Sequence, residues 1–187
     1  AYLSPEGGRI RVNPRTETRL MIAPRPMQMA EGAVLYNDSP VPAAFVDLAL
    51  LFHNCGNALV EREGGISLVL RDVQTHLEAR LWSQIFDALE EQAGWARGTI
   101  RATVMIDSIS AALEAEEILF EMMHHVAGLS MDPQGYAADH IALFHDRNRQ
   151  ALPDRESIGL NSPFLRSLSL HIVGVCHRRG CHASGAP

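Results

Sequence analysis

Three short apolar runs, each followed by a stretch of helical periodicity, constrain this chain more than any other feature. The runs are Arg19–Ala23 (RLMIA), Ile66–Leu70 (ISLVL) and Thr99–Ile106 (TIRATVMI). The second has no polar alternation, which is the pattern of a strand buried on both faces. The third is rich in β-branched residues, which favour a pleated strand. A turn-rich stretch, Pro24–Pro42, follows the first run. Pro42–Arg62 then carries Phe45, Leu48, Ala49, Phe52 and Leu59 at helical spacing. After the second run, Thr75 and Glu78 form a capping box. Leu77, Leu81, Ile85 and Leu89 continue as one apolar stripe, and Gly94 stops the helix. Ser108–Val126 is the helix expected after the third run, with Gly128 as its terminator. The pattern then weakens to a short strand and loop (Leu129–Gly135), a helix (Tyr136–Arg147), a turn (Pro153–Arg155) and a last helix from Ser162 to Arg178, closed by Gly180. Strands alternating with helices of this length give βαβ units and a parallel α/β sheet. At 187 residues the chain is too short to close an eight-stranded barrel, which takes about 250.

Composition narrows the class. The length is that of one domain. With 47% hydrophobic and 20% charged residues, the chain has a globular composition. A net charge of −6 argues against binding nucleic acid through counterion release. No apolar run approaches the roughly 20 residues a membrane span needs, so no membrane partner is expected. The opening residues do not have the form of a secretory signal. Three cysteines, an odd number, suit a reducing compartment, and a cytoplasmic location is expected. All 16 basic residues are Arg, so Schiff-base chemistry on a lysine of this chain is excluded.

Few residues carry recognisable chemistry. Asp107 directly follows the third strand, where parallel α/β folds place catalytic groups. A cap for the next helix explains it equally well. His171, Cys176, His177, Cys181 and His182 are zinc-ligand types. They contain no C-x-x-C pair, and Arg178 and Arg179 oppose a cation between them. His124 and His125 read as a helix end. Arg25, Arg155, Arg178 and Arg179 are candidates for forked bonds to carboxylate or phosphate, against ordinary surface charge as the alternative. Asn37-Asp38-Ser39 has the form of a glycosylation sequon. Phosphate-loop, dinucleotide, zinc-protease and serine-hydrolase signatures are not found in the sequence.

Six segments together resemble malate synthase of the short, A-type form. They are His76–Trp82 (HLEARLW), Gly98–Leu113 (GTIRATVMIDSISAAL), Ile118–Leu129 (ILFEMMHHVAGL), Leu152–Arg155 (LPDR), Ser162–Arg166 (SPFLR) and Cys176–Ala183 (CHRRGCHA). They occur in the family's order and spacing, and Ser4-Pro5-Glu6-Gly7 fits as well. The resemblance implies a TIM barrel with further N- and C-terminal domains. Residues 1–187 would form a single partial barrel domain, a truncated copy without those domains. It also implies the Claisen condensation of acetyl-CoA with glyoxylate to malate and CoA in the glyoxylate cycle, with Mg2+ as cofactor.

Carried over residue by residue, the resemblance fails at the site. The family's Arg-Pro-Arg-Gly-Trp-His motif becomes Ala23-Pro24-Arg25-Pro26-Met27-Gln28, so its catalytic first arginine falls on Ala23. Arg25 remains as the candidate substrate-binding residue. The metal-binding glutamate corresponds to Asp107, one methylene shorter. The second metal carboxylate falls on Gly135, with Asp132 nearby as a substitute. Pro-Lys-x-Glu-Ser becomes Arg71-Asp72-Val73-Gln74-Thr75, and the family's aspartate base belongs to a region beyond Pro187. Asp107 and Asp132 are therefore the metal candidates, and no catalytic residue is assigned. The expectation is a malate synthase-like acyltransferase scaffold that is inactive or weakly active as this chain, a pseudoenzyme. The alternatives are a non-catalytic binding module, or a subunit that completes its barrel with a partner chain; self-association is expected in either case.

Overall fold

A computed structural model describes residues 2–3, 9–10, 20–146, 153–154 and 158–185 of the chain. The Ser4–Gly7 segment and Arg19, Arg147, Leu152, Arg155 and Pro187 lie outside the described residues. Two short antiparallel pairs come first: β1 (Tyr2–Leu3) with β2 (Arg9–Ile10), and β3 (Ala30–Tyr36) with β4 (Ser39–Pro42). The second pair is a hairpin inside the stretch Pro24–Pro42, read from the sequence as turn-rich with no strand assigned. Asn37 and Asp38 both have positive φ, at 50° and 61°, the conformation of a tight two-residue hairpin turn.

The rest is a parallel α/β layer. Its elements in order are α1 (Ala43–Leu51), a π-helical turn (Phe52–Gly56), α2 (Asn57–Glu63), β5 (Ile66–Leu70), α3 (His76–Ala93) and β6 (Ile100–Ile106). Then come α4 (Ile109–Leu113), α5 (Ala115–Glu121), β7 (Val126–Met131), α6 (Pro133–Phe144), α7 (Pro163–Arg179) and β8 (His182–Ser184). The sheet runs β5-β6-β7-β8, all parallel. Ile22 extends it on the β5 side: its N–H donates to Ser67 O (3.0 Å) and its carbonyl accepts from Val69 N (2.9 Å). Spatial order therefore follows chain order without reversal. That is the winding of a barrel wall, whereas a doubly wound sheet reverses at a switch point. Among the described residues β8 pairs with β7 alone, so the wall is open there.

Helices cover one face of this wall. Leu68, Leu70, Ala102, Val104, Ile106 and Leu129 of the sheet meet Trp82 and Phe86 of α3, Ile118 and Leu119 of α5, and Leu168 and Ile172 of α7 in one core cluster. The opposite face, with Ser67, Val69, Thr103 and Met105, is only half-buried. Burial of this cluster is the main source of stability, since each large apolar side chain contributes about 1.5–3 kcal/mol.

Several expectations are corrected at the level of elements. Of the stripe Leu77, Leu81, Ile85 and Leu89, the first two are exposed and the last two are partly buried against the core, while α3 buries the neighbouring face through Ala79, Trp82, Ser83, Phe86 and Glu90. The helix expected over Ser108–Val126 breaks at Glu114 and ends at Glu121. Gly128 does not terminate it but lies within β7. The final helix starts after Ser162, whose hydroxyl accepts from Leu165 N, and ends at Gly180 in the left-handed conformation (φ 69°). One helical segment, Ala43–Glu63, is long and apolar enough to cross a membrane by length and composition, which the sequence reading had not anticipated. Within that segment Ala43, Ala44, Leu48 and Gly56 are buried, Ala44 and Leu48 in the core cluster, while most of its other residues are not, and Asp47 is held in an ion pair.

Candidate functional site

The C-terminal ends of the parallel strands are where this architecture gathers chemistry. Ala23 follows Ile22, Arg71 follows β5, Asp107 follows β6 and Asp132 follows β7. Strand direction thus brings four residues, far apart in sequence, to one rim. Asp107 Oδ2 accepts from the Asp72 N–H at 2.9 Å. Asp72 itself adopts φ 56°, a left-handed conformation uncommon outside glycine, and this turns its amide toward the rim. Burial pushes the Asp107 carboxyl above the usual carboxylate range, and the Asp72 amide opposes that shift.

Asp132 caps α6. Its Oδ1 accepts from Gln134 N and Gly135 N, both at 3.1 Å. Its Oδ2 faces Arg71 Nη2 at 3.3 Å. Both carboxylate residues converge on Gly135: a Cβ placed there would meet Asp107 Cβ at 2.9 Å and Asp132 Oδ2 at 3.1 Å. The two metal candidates and the glycine onto which the resemblance carries a metal carboxylate are thus brought together. Arg71, Asp132, Gly135, Ala137, Ala138 and Ile141 line a cleft of about 1000 Å³ beside them.

These residues do not fit Mg2+ as they stand. That ion takes near-octahedral oxygen ligands at about 2.0–2.1 Å. Here Asp132 is spent on a helix cap and a guanidinium, and Asp107 has one oxygen on a backbone amide. The space for another carboxylate is filled by the packing of Gly135 against Asp107.

Arg25 is brought elsewhere. Its Nε and Nη2 donate to Asp47 at 2.7–3.1 Å, and its Nη1 donates to Glu31 at 2.8 Å. Its backbone N–H also donates to Asp47 Oδ2. This fork ties the segment after Ile22 to α1 and the hairpin, and it holds the Asp47 carboxyl below the usual range.

The Cys/His residues near the C-terminus do not come together as ligands among the described residues. His171 Nε2 lies 2.9 Å from Ala112 O, Cys176 is buried, and burial pushes the Cys181 thiol up to about 12. Arg178 and Arg179 pair with Glu116. A carboxylate–imidazole group of ligating type occurs instead at the other end of the sheet, where Asp87, Glu90 and His125 place ligand atoms within 4.8 Å of one another. His125 is fully buried. Its Nε2 faces Asp87 Oδ1 (3.2 Å), and its Nδ1 faces Ile100 O (3.2 Å) with Glu90 Oε1 at 3.8 Å. The two carboxylates thus address opposite sides of the ring. Glu90 accepts from Ile100 N (2.6 Å) and Gly98 N (3.0 Å), and Arg97 pairs with Asp87. The sequence reading missed Glu90 altogether, and it took His125 for a helix end.

Comparison with known proteins supplies a family. A family profile described as "Malate synthase, TIM barrel domain" matches residues 19–186. The malate synthase of Streptomyces clavuligerus is 40% identical over 168 residues, covering 89% of this chain and 31% of that protein. The malate synthase of Myxococcus xanthus is 32% identical over 185 residues, covering 99% of this chain and 34% of that protein. The chain thus spans about a third of the length of these relatives. Among solved structures, the lead(II) complex of Haloferax volcanii malate synthase superposes with a TM-score of 0.61 at 17% identity, covering 82% of this chain and 41% of that one. This last likeness concerns the fold, and it agrees with a barrel wall wound in sequence order.

Proposed function

The chain belongs to the malate synthase family, and from that premise we propose that it is a partial malate synthase barrel which keeps the scaffold and the cleft but does not itself condense acetyl-CoA with glyoxylate. One observation carries this reading. The two positions that resemblance assigns to the catalytic arginine and to a metal carboxylate are Ala23 and Gly135; Ala23 follows Ile22, and Gly135 packs against Asp107 and Asp132, which supports the reading. An alanine methyl offers no charge to an enolate or an aldehyde oxygen. Removing one group that acts on developing charge typically lowers kcat about 10²–10³-fold. The family's Mg2+ would supply Lewis-acid polarisation of the aldehyde. The residues here do not fit that ion, and no step is derived through it.

The chain's own residues act as follows. Arg71, half-exposed at the cleft, presents a guanidinium to an incoming carboxylate or thioester oxygen. Gly135, Ala137 and Ala138 leave the cleft wall without bulky side chains. Asp107 is held by the Asp72 amide and positions the β6 end against α6. The direct test is glyoxylate-dependent release of CoA from acetyl-CoA, read with a thiol reagent on the purified chain with Mg2+ present. No release above the rate without glyoxylate is expected. Release that needs both substrates would overturn the reading.

A second reading has its own support. Strand β8 has a neighbour on one side only among the described residues, and an open strand edge is a template for pairing. A partner chain, or a second copy of this one, would complete the wall there. A single monomeric species in light scattering would count against it.

A further inference from the structure

Asp107 and Asp132 face one another across Gly135, where a divalent cation would be sought under the reading above, on which this inference rests. Part of their accepting capacity is already taken up by the protein itself. We propose that Arg71 is the resident cation of this rim and keeps divalent metal out of it.

Asp132 Oδ1 is held by the two backbone amides of Gln134 and Gly135. Only Oδ2 is left to face the rim, and Arg71 Nη2 stands 3.3 Å from it. Asp107 gives Oδ2 to the Asp72 amide at 2.9 Å. A dication entering the rim would lie next to a fixed positive charge and share its ligand oxygen with it. It would also have to shed water for a pair of carboxylates that offers few free positions, and Mg2+ dehydrates reluctantly. Aspartate at position 135 would not simply repair the set, because its Cβ would press on Asp107 Cβ at 2.9 Å and on the Asp107 carbonyl oxygen at 3.3 Å. Arg71 is different. More than half of its side chain is exposed, and its contact to Asp132 is a single one. Its removal therefore frees an oxygen without opening the core. Arg71 thus acts as the specificity-determining residue of the rim, choosing a guanidinium over a metal ion.

The test uses Mn2+ as the probe, because the six-line resonance of the free ion falls in amplitude when the ion binds. Four proteins are compared as full chains: the unaltered chain, Asp107→Asn, Arg71→Ala, and Arg71→Ala combined with Asp107→Asn. Far-UV circular dichroism melts establish that each is folded. The unaltered chain is expected to leave the free-ion signal at its buffer amplitude. Arg71→Ala is expected to bind at least about tenfold more tightly, a change of about 1.4 kcal/mol. The double variant is expected to lose that gain. The proposal is overturned if the unaltered chain takes up Mn2+ stoichiometrically and loses it in Asp107→Asn. A folded Arg71→Ala that binds no better than the unaltered chain overturns it as well. No activity is read, so failure here leaves the preceding reading standing, and CoA release would sink that reading without deciding this one.

Discussion

Glu90 shows how much one buried carboxylate can hold together. It leaves α3 and accepts the amides of Gly98 and Ile100, so it fixes the entry into β6 from below. Beside it, His125 bridges the start of β7 to Asp87 and to the Ile100 carbonyl. The result is a polar clamp at the N-terminal ends of two strands, the end of a barrel that serves stability. Replacing Glu90 by Ala strands two backbone donors, each costing about 1–3 kcal/mol. We expect Glu90→Ala to lower the melting temperature far more than Glu91→Ala, its exposed neighbour, in paired thermal melts. Equal small shifts would mean that the clamp is not structural. The sequence hid this residue. In the run Leu89-Glu90-Glu91-Gln92 a glutamate looks like any solvated helix position, and only the tertiary packing of α3 on β6 distinguishes the two. Asp107 was legible because its signal is local, a carboxylate directly after a buried strand. Arg71 and Asp72 follow β5 in the same way, yet they stood only as departures from a family segment. Asp72's left-handed backbone, which aims its amide at Asp107, has no sequence marker.

Among the elements, β7 passes close to β8 at Gly128, which pairs with His182. A Cβ on that residue would run into the carbonyl oxygen of His182. The glycine is therefore required by a close backbone approach inside a sheet and not by a helix end. Overpacking of this kind costs roughly 1–3 kcal/mol. Gly128→Ala is expected to release β8, with faster amide exchange at His182–Ser184 while β5 and β6 stay protected. Unchanged exchange at β8 would contradict the account. Strands β5 and β6 were legible because apolar runs bounded by glycine and polar residues need no partner to be recognised. The three residues of β8 were not, since Cys181-His182-Ala183-Ser184 has no strand pattern and is a strand only through β7. The hairpin inside Pro24–Pro42 was hidden by its prolines, with Pro40 and Pro42 both lying in β4. In α3 the four-residue stripe was real, but the helix turned its Trp82–Phe86 side to the core, because large aromatics bury more apolar area than scattered leucines.

The described structure keeps strand order, helix cover and a cleft at the C-terminal strand ends, while the rim positions onto which the resemblance carries the family's charged groups are Ala23 and Gly135. Physics accounts for this asymmetry. A core accepts many apolar side chains of about the right volume, whereas a site needs its atoms within about 0.5 Å. The scaffold is expected to fold while the site does not take the ligands of the family. A thermal melt of the purified chain, alone and with Mg2+ plus glyoxylate, tests it most directly. A ligand present at a hundred times its Kd adds about 2.7 kcal/mol to the native state, which for a chain of this size is a shift of roughly 5–10 °C. One cooperative transition at the same temperature is expected in both samples. A cooperative transition that rises by several degrees with Mg2+ and glyoxylate, and loses that rise in Asp107→Asn, would contradict it.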